Sequence, residues 1–222
     1  MQRVLRAIRQ PRSAIEAVLA IARGHFYKRW YPLRGIRFTA GRGLRVSGRL
    51  KVRGPGVVQF GDNVHVGMTV TPFTYTADAR IEVGSGVFLN GTRFGCVQHI
   101  RVGDQCIVAE CRIMDTNFHS LHANRHDPDA PVRQASVELE DNVWVAVDAA
   151  LLPGTRIGRD SVVAIGAICK GAYPAGVIIS GNPAQVVGAV PGSDVARSPM
   201  AAEGPVLASG VTNSAQGAMV AR

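Results

Sequence analysis

Aromatic residues, paired cysteines and long apolar runs are all scarce in this chain of 222 residues. Aromatics make up 6% of the sequence while glycine contributes 25 residues, a mixture that argues against a helical bundle and favours many short strands joined by tight turns. The four cysteines form no CxxC pair, so reduced thiols in a cytosolic protein are the plain interpretation. The length fits one core-bearing domain with appendages better than two domains.

Acidic residues are almost missing from the first 53 positions, which hold 14 Lys and Arg against Glu16 alone, a net charge of +13. The remaining positions hold 11 basic and 15 acidic residues, a net charge of −4. The basic character therefore belongs to the N-terminal segment and not to the surface at large. No aromatic-interleaved motif accompanies it, so we expect no nucleic-acid partner, whereas an anionic membrane surface or simple solvation fits.

From about residue 35 onward the apolar residues follow a period of six. An aliphatic side chain recurs at every sixth position of VELEDNVWVAVDAALLPGTRIGRDSVVAIG, and a second series, mostly small or apolar, lies two positions earlier. The first series is Leu139, Val145, Leu151, Ile157 and Val163, and the second is Val137, Val143, Ala149, Thr155 and Ser161. The same phrase occurs upstream in VQFGDNVHVG, IEVGSGVFLNG and IRVGDQCIVA. This period is typical of a hexapeptide β-solenoid, in which three hexads make one turn of a triangular prism and the aliphatic residues point inward.

Two segments interrupt the hexads. Residues 68–80 break the pattern, and a longer polar insertion, DTNFHSLHANRHDPDAPVRQAS, runs from Asp115 to Ser136. This insertion contains half of the histidines of the chain, namely His119, His122 and His126. Because a long insertion in a regular solenoid is usually functional, we expect the functional site at this loop.

The loop and the segments after it resemble a known family. DTNFHSLH, the long hexad stretch with Asn142–Trp144 and PGTRIG, and the closing ISGNPAQVVG are similar to the hexapeptide-repeat O-acetyltransferases, which include galactoside, maltose and polysaccharide-decorating enzymes. The similarity covers roughly residues 58–188. It implies an all-β fold, a left-handed parallel β-helix, and a homotrimer with active sites between adjacent prisms. It also implies acetyl-CoA as the acyl donor and a sugar or glycan as the acceptor.

The resemblance makes His119 the catalytic base. A sugar hydroxyl attacks a thioester at neutral pH only if a base removes its proton, and a neutral imidazole suits that task. Asn90 aligns with an asparagine that the galactoside enzymes place near the acceptor. We interpret His122 and His126 as solvated loop residues, with His122 as the fallback base if the register of the loop differs. The other three histidines, His25, His65 and His99, are interpreted as structural or surface residues.

The resemblance also implies a set of donor-binding residues. Trp144 would lie beside the active site, the backbone near Ala146, Ile165 and Gly166 would face the pantetheine arm, and a lysine near the nucleotide could meet a phosphate. The six residues are Trp144, Ala146, Ile165, Gly166, Lys170 and Gln185. The sequence departs from the family at Ala146, where glycine is common, and at Gln185, where a basic residue is often found. The second departure weakens the case for CoA phosphate binding at that position.

Two other classes of function stay open beside the transferase. His119, His122 and His126 superficially resemble a metal cluster, but an irregular loop does not fix their geometry, and we expect no metal. A γ-carbonic-anhydrase-like protein needs three histidines spread over two faces at a subunit interface, whereas these lie in one loop. A non-catalytic β-helix scaffold is the other alternative.

The chain therefore divides into an arm at residues 1–34, the solenoid at 35–190 with its loop at 115–136, and a tail at 191–222 predicted to be disordered. In the arm, Ser13 and Glu16 form a capping-box pattern, and two apolar helical faces follow from Val4, Leu5 and Ile8 and from Ile15, Val18, Leu19, Ala22 and Phe26. The arm either caps the solenoid or docks on an anionic membrane. We expect a cytoplasmic protein, peripheral at the inner membrane face in the second case.

Overall fold

A computed structural model of the chain describes residues 11–193, and their side chains from residue 15 onward. The predictions for Val4, Leu5, Ile8 and the Ser13 side chain, and for the tail from residue 194, lie outside the described residues. At the start of the predicted tail, Ser193 is buried and its hydroxyl donates to the carbonyls of Val190 (2.8 Å) and Gly176 (3.2 Å). Residues 191–193 are therefore bound to the solenoid.

One helix precedes a solenoid of three parallel sheets with about seven turns. Helix α1 spans Pro11–Leu33. Sheet one contains β1 (Phe38–Ala40), β4 (Val57–Phe60), β7 (Arg80–Val83), β10 (His99–Val102), β13 (Val137–Leu139), β16 (Arg156–Ile157) and β19 (Ala172–Tyr173). Sheet two contains β2 (Arg45–Val46), β5 (His65–Val66), β8 (Phe88–Asn90), β11 (Ile107–Ala109), β14 (Trp144–Val145), β17 (Val162–Val163), β20 (Val177–Gly181) and β21 (Ala184–Ala189). Sheet three contains β3 (Arg49–Leu50), β6 (Thr69–Thr74), β9 (Arg93–Cys96), β12 (Arg112–Met114), β15 (Ala150–Leu151) and β18 (Ile168–Cys169).

The chain visits sheets one, two and three in turn, so the strands of the coils pair in parallel with the strand three places later. The exception is β21, which forms an antiparallel hairpin with β20 at the C-terminal end. Leu139 pairs with Ile157 in sheet one, and Val145 pairs with Val163 in sheet two. The predicted aliphatic series is fully buried inside the prism, and the earlier series beside it is at most 1% exposed. The predicted fold class, a left-handed parallel β-helix, is confirmed.

The corners between sheets one and two share a three-residue turn, which reads Gly-Asp-Asn at 61–63, Gly-Asp-Gln at 103–105 and Glu-Asp-Asn at 140–142. Gly103 is packed so closely that a Cβ there would lie 2.7 Å from the amide nitrogen of Asp141 in the next turn. The second corner residue caps the turn before it, as when Asp141 accepts a bond of 2.8 Å from the amide of Asp104. The third residue takes a left-handed backbone, with φ of 55° at Asn142, which asparagine tolerates better than most residues.

The predicted interruption of the hexads at residues 68–80 is wrong for residues 69–74. Residues 69–74 form β6, an ordinary strand of sheet three that pairs with β9. Its inward positions are Val70, Pro72 and Thr74, all buried, so two of the three lack the aliphatic side chain that marks the other hexads. Only the turn at 75–79 departs from the coil.

Helix α1 covers the N-terminal end of the prism. Ala20 and Tyr31 are buried, and Gly24 lies so close to Leu44 that a Cβ would approach its carbonyl oxygen to 2.0 Å. The Tyr31 hydroxyl donates to the carbonyl of Leu50 and accepts a bond of 3.2 Å from the amide of Val52. The helix therefore caps the solenoid and shields the open end of its core.

The capping face is not the apolar face predicted from the sequence. Ile15, Val18, Leu19, Ala22 and Phe26 are all exposed, with Val18 at 65% and Phe26 at 54%. The cap instead uses small and amphipathic residues, because only these allow the helix to approach the backbone of the first coil. No helix among residues 11–193 has the length and apolar character needed to cross a bilayer.

Candidate active site

The long insertion leaves sheet three directly after β12, and Asp115 fixes its first residue. The Asp115 carboxylate is fully buried and accepts bonds from the amides of Val97 (2.9 Å) and Gln98 (2.7 Å). It also accepts from the thiol of Cys96 at 3.3 Å. Burial raises the pKa of that thiol, and the neighbouring carboxylate raises it further, so Cys96 stays protonated as a donor. The start of the loop is thereby tied to the preceding coil.

The two ends of the insertion are joined in a narrow neck. Thr116 and Gln134 form an antiparallel bridge, and the amide of Asn117 donates to the carbonyl of Arg133 at 3.1 Å. The amide of Ala135 donates to the carbonyl of Asp115 at 2.9 Å. Residues 118–132 thus project from a closed base.

Phe118 turns the chain back over the outer face of sheet three. It has a left-handed backbone (φ 61°), and its amide donates to the Thr116 hydroxyl at 3.1 Å. Its ring centroid lies 4.5 Å from that of Tyr75, and the ring rests above Gly95, where a Cβ would approach it to 2.8 Å. The residue that precedes His119 is therefore held in place by packing as well as by the backbone.

His119 itself is exposed beside this aromatic contact. His122 and His126 lie farther along the loop and are also exposed. Within residues 11–193 no three His, Cys, Asp or Glu side chains come together in a way that could hold a metal ion.

A pocket of about 520 Å³ lies between the loop and the outer face of sheet three. Its floor is formed by β12, β15 and the corner after them, and its roof by the first loop residues. Its lining residues are Arg112, Met114, Thr116, Asn117, Phe118, Leu121, Arg133, Ala150, Leu151, Leu152, Pro153 and Lys170. Three of these are cationic and none is acidic, so the pocket is apolar with a positive charge.

Three of the six predicted donor-binding residues lie along one edge of the prism. Ala146 and the pair Ile165–Gly166 occupy successive corners between sheets two and three, joined by a bond of 3.0 Å from the amide of Gly166 to the carbonyl of Val147. Ile165 is 69% exposed, and a Cβ on Gly166 would meet nothing within 4 Å. This edge is open to a ligand.

The other predicted donor contacts are spread over neighbouring surfaces. Trp144 is 48% exposed on the outer face of sheet two, between Ile107 and Val162 in register. Lys170 lines the loop pocket at the other edge of sheet three, and Gln185 lies on the C-terminal hairpin of β20 and β21.

Asn90 and His119 are not brought together within one chain. Asn90 ends β8 at the edge between sheets two and three, while the loop follows β12 at the edge between sheets three and one. The side-chain oxygen of Asn90 accepts a bond of 2.9 Å from the amide of Met68, so it shapes the corner of the preceding turn. A site that uses both residues therefore needs two copies of the chain or a change in the loop.

Sequence reasoning missed four residues that shape this site, namely Asp115, Phe118, Arg112 and Arg133. The sequence marks Asp115 only as the first residue of the insertion. Its role as an anchor could not be predicted, because its hydrogen-bond partners lie 17 to 19 residues upstream in the neighbouring coil. No local pattern marks the two arginines, since their position depends on the register of sheet three and on the neck of the loop.

In sequence and in fold the chain is similar to several acyltransferases. No family model matches the chain. The putative lipopolysaccharide biosynthesis O-acetyl transferase WbbJ of Escherichia coli strain K12 is 29% identical over 161 residues, 69% of each chain. A 2,3,4,5-tetrahydropyridine-2,6-dicarboxylate N-acetyltransferase of Staphylococcus aureus is 39% identical over 57 residues, 26% of this chain and 24% of the relative.

Solved structures share the fold. The N-acyltransferase AntD of Bacillus cereus, in complex with dTDP and 3-hydroxybutyryl-CoA, matches with a TM-score of 0.61 at 17% identity, over 72% of this chain and 88% of its own. The polySia specific acetyltransferase NeuO matches with a TM-score of 0.53 at 16% identity, over 68% and 81%. The resemblance to hexapeptide-repeat acetyltransferases that the motifs predicted is confirmed.

Proposed function

We propose that this protein is an acetyl-CoA-dependent O-acetyltransferase that modifies a sugar hydroxyl in the biosynthesis of a surface polysaccharide or glycolipid. The observation that carries the proposal is the loop: a neck anchored by buried Asp115 presents an exposed histidine beside a pocket on an acyltransferase-type prism. The O-acetyl transferase relative from Escherichia coli, which matches over 69% of both chains, supports the same reaction class.

His119 acts as the general base. Its imidazole removes the proton from the acceptor hydroxyl while that oxygen forms a bond to the acetyl carbonyl carbon. The bond from that carbon to sulfur then breaks, and His119 returns the proton to the thiolate, so the products are the acetyl ester and free CoA. A base placed in this way is worth about a hundredfold or more in rate. In this proposal the side-chain amide nitrogen of Asn90 donates a hydrogen bond to the acceptor, while its oxygen accepts from the amide of Met68.

The prism edge at Ala146, Ile165 and Gly166 binds the acyl donor, together with Trp144. The observation that fits this role is the open space beside Gly166 and the exposure of Ile165, which leave room for a pantetheine arm against the corner backbone. Lys170 supplies a cation for a phosphate and Gln185 a neutral hydrogen-bonding group. The acetylated form of CoA supplies the thioester that the reaction consumes.

We also propose that the functional unit is a homotrimer. The outer face of sheet two carries an apolar row in register, formed by Phe88, Ile107, Trp144, Val162 and Ile178. Packing such rows between prisms buries area that a single chain exposes to water. In a trimer the Asn90 edge of one chain lies beside the loop of the next, and this explains why one chain keeps Asn90 and His119 apart.

Mixed trimers test this arrangement. His119→Ala and Asn90→Ala are each expected to be nearly inactive, and unfolding and refolding them together should restore activity, because some interfaces then contain both native residues. A mixture no more active than its components, or a monomer of about 24 kDa in sedimentation at micromolar concentration, would reject it.

The exposed face of α1 docks on an anionic membrane surface at the cytoplasmic side. Val18, Phe26 and Leu33 offer exposed apolar side chains, and Arg29 and Arg34 lie beside them. Each basic residue near an acidic leaflet contributes about 1 kcal/mol, so a few give weak, reversible binding. Phe26→Ser with Leu33→Ser should abolish co-sedimentation with phosphatidylglycerol vesicles and leave the cap intact. Full-length protein that stays in the supernatant at low salt would contradict the docking.

The reaction itself is tested by release of free CoA. Purified protein is incubated with acetyl-CoA and a panel of mono- and oligosaccharides, and the new thiol is measured together with the mass of the sugar. A gain of one acetyl group on a sugar, in step with thiol release, is expected. CoA release equal to that of a sugar-free control for every sugar, or release without an acetylated product, would contradict the proposal.

A further inference from the structure

The outer face of sheet three carries basic side chains in register. Arg93 in β9 lies directly opposite Arg112 in β12, and Thr71 of β6 lies opposite Arg93 on the other side. Lys51, between the paired residues Leu50 and Arg53, continues the same row. Strands in a sheet are about 4.8 Å apart, so the row extends over about 14 Å from Lys51 to Arg112. We refer to Lys51, Arg93 and Arg112 as the basic column.

On the outer face of sheet one, by contrast, arginines form ion pairs with an acidic residue. Arg101 and Arg156 lie on either side of Glu138 in register there, and both pair with it, at 3.0 and 3.1 Å. Like charges directly opposite each other in a sheet are destabilising, and in sheet one Glu138 occupies the position between the two arginines, so each arginine faces an opposite charge. The fold can therefore accommodate a balanced ladder of charges on an outer face.

Sheet three has no such balance. No outward residue of its six strands is acidic, and no residue of the basic column forms an ion pair with any other residue between 15 and 193. Glu110 and Asp148 stand at the adjacent edge without pairing to the column. The repulsion between Arg93 and Arg112 thus stays uncompensated within the described chain, and a bound anion would relieve it.

The column leads into the loop pocket. Arg112 is both the last member of the column and part of the pocket lining, where Arg133 and Lys170 add two more cations. Arg133 makes a single weak bond, 3.4 Å to the carbonyl of Pro153, so its guanidinium keeps free donors. An anion bound to the column therefore lies next to any ligand in the loop pocket, because Arg112 contributes to both.

The column and the residues proposed for the nucleotide end of the donor extend in opposite directions from the loop pocket. The residues proposed for the nucleotide end of CoA, Lys170 and Gln185, lie in the C-terminal coils. The column runs the opposite way, from the loop toward the N-terminal coils and α1. A ligand on the column therefore reaches the loop pocket from the N-terminal side, while Lys170 lines the same pocket from the C-terminal side.

We propose that the basic column binds phosphate or carboxylate groups of the acceptor, so that the enzyme acts on a negatively charged glycan. The identification of the bound anion as part of the acceptor rests on the proposed function, whereas the existence of the anion site does not depend on it. A guanidinium binds carboxylate and phosphate through two parallel hydrogen bonds, and two arginines one strand apart suit a diphosphate or neighbouring acidic sugars. The length of the column allows more than one charge to bind at once.

Calorimetry tests the site without any turnover. The probes are inorganic pyrophosphate, trigalacturonate and neutral maltotriose, and the variants are Arg93→Gln/Arg112→Gln and the matched control Arg101→Gln/Arg156→Gln on sheet one. We expect one or both anions to bind the native protein and to bind the sheet-three variant at least about tenfold more weakly. The control should stay within about twofold. The anion that binds identifies phosphate or carboxylate as the preferred group.

Three results would overturn the site: equal anion affinity in the native protein and the sheet-three variant, an equal loss in both double variants, or competition between CoA and the anion for the column. Misfolding would not mimic the expected result, because removing two opposed positive charges should leave the melting temperature unchanged or raise it.

Kinetics connect the site to the acceptor. For a phosphorylated or carboxylated oligosaccharide that is acetylated, Arg93→Gln should raise the acceptor KM severalfold and leave the KM for acetyl-CoA unchanged. Anion binding through the column without acetylation of any sugar would preserve the site and reject the proposed function. Acetyl transfer with an unchanged acceptor KM in Arg93→Gln would keep the proposed function and reject the column as the binding site of the acceptor.

Discussion

Replacing Asp115 with alanine should remove the hydrogen bonds that fix the start of the loop to the preceding coil, and should destabilise that coil. The carboxylate is fully buried and accepts bonds from two backbone amides, at 2.7 and 2.9 Å, and from one thiol. A buried amide left without a partner costs about 1 to 3 kcal/mol, and bonds to a charged acceptor lie at the upper end. Water that enters the small vacancy recovers part of this, so we expect a loss of about 3 kcal/mol.

The measurement is the free energy of unfolding from urea titrations, with melting temperatures as a check. For a chain of this size, 3 kcal/mol lowers the melting temperature by roughly 6 to 12 °C. Asp104→Ala is the matched control, because Asp104 is exposed and caps a single amide, that of Ser85 at 2.7 Å. Its cost should stay near 1 kcal/mol or below. Asp115→Asn should fall between the two, since it keeps one accepting oxygen.

Activity should follow the anchor as well. At a temperature where Asp115→Ala is fully folded, its kcat should drop at least about tenfold while the KM for acetyl-CoA changes little, because the donor edge is built from other coils. A loss of stability no larger than that of Asp104→Ala, or unchanged kcat in a folded Asp115→Ala protein, would refute the role of Asp115 as the anchor of the loop.

Other predictions follow from single contacts. Gly95→Ala places a Cβ 2.8 Å from the Phe118 ring, so kcat should fall while the fold, followed by circular dichroism, persists; native kcat would contradict the packing. Tyr31→Phe removes a hydroxyl that bridges Leu50 and Val52, so urea titrations should show a free energy of unfolding lower by about 1 to 2 kcal/mol. An unchanged free energy of unfolding would mean that this contact of the cap does not stabilise the solenoid. Burial raises the pKa of the Cys106 thiol to about 11 and those of Cys111 and Cys169 to about 12. Native thiols should therefore resist Ellman's reagent at pH 8, and because unfolded thiols ionise first, the free energy of unfolding should fall as pH rises from about 9 to 12. One fast-reacting native thiol would contradict this burial.

The solenoid could be predicted from the sequence because its repeat is local. Each hexad places its own aliphatic residue inside and its own small or polar residues at the corner, so Leu139 to Val163 reveal the coil without any long-range information. The same logic failed at β6, where Pro72 and Thr74 occupy inward positions that the pattern reserves for aliphatic side chains.

The cap and the site depend on contacts that no local pattern contains. Helix α1 buries Gly24 and Tyr31, whereas hydrophobicity favoured the opposite face, because close approach to the first coil matters more there than apolar area. The loop histidine was recognisable by its motif, but its support by Asp115 and Phe118 involves residues of neighbouring coils. The facing pair of Arg93 and Arg112 likewise becomes visible only once the strand register is known.

The most direct test of the account compares His119→Ala with His122→Ala in the CoA-release assay, using a sugar that the native protein acetylates. Both side chains are exposed on the same loop, so each variant should fold like the native protein and serves as the other's control. The account predicts that His119→Ala lowers kcat at least about a hundredfold, the usual contribution of a positioned base, while His122→Ala stays within a few-fold of native. Near-native turnover in His119→Ala, above all with its loss in His122→Ala, would contradict the assignment of the catalytic base.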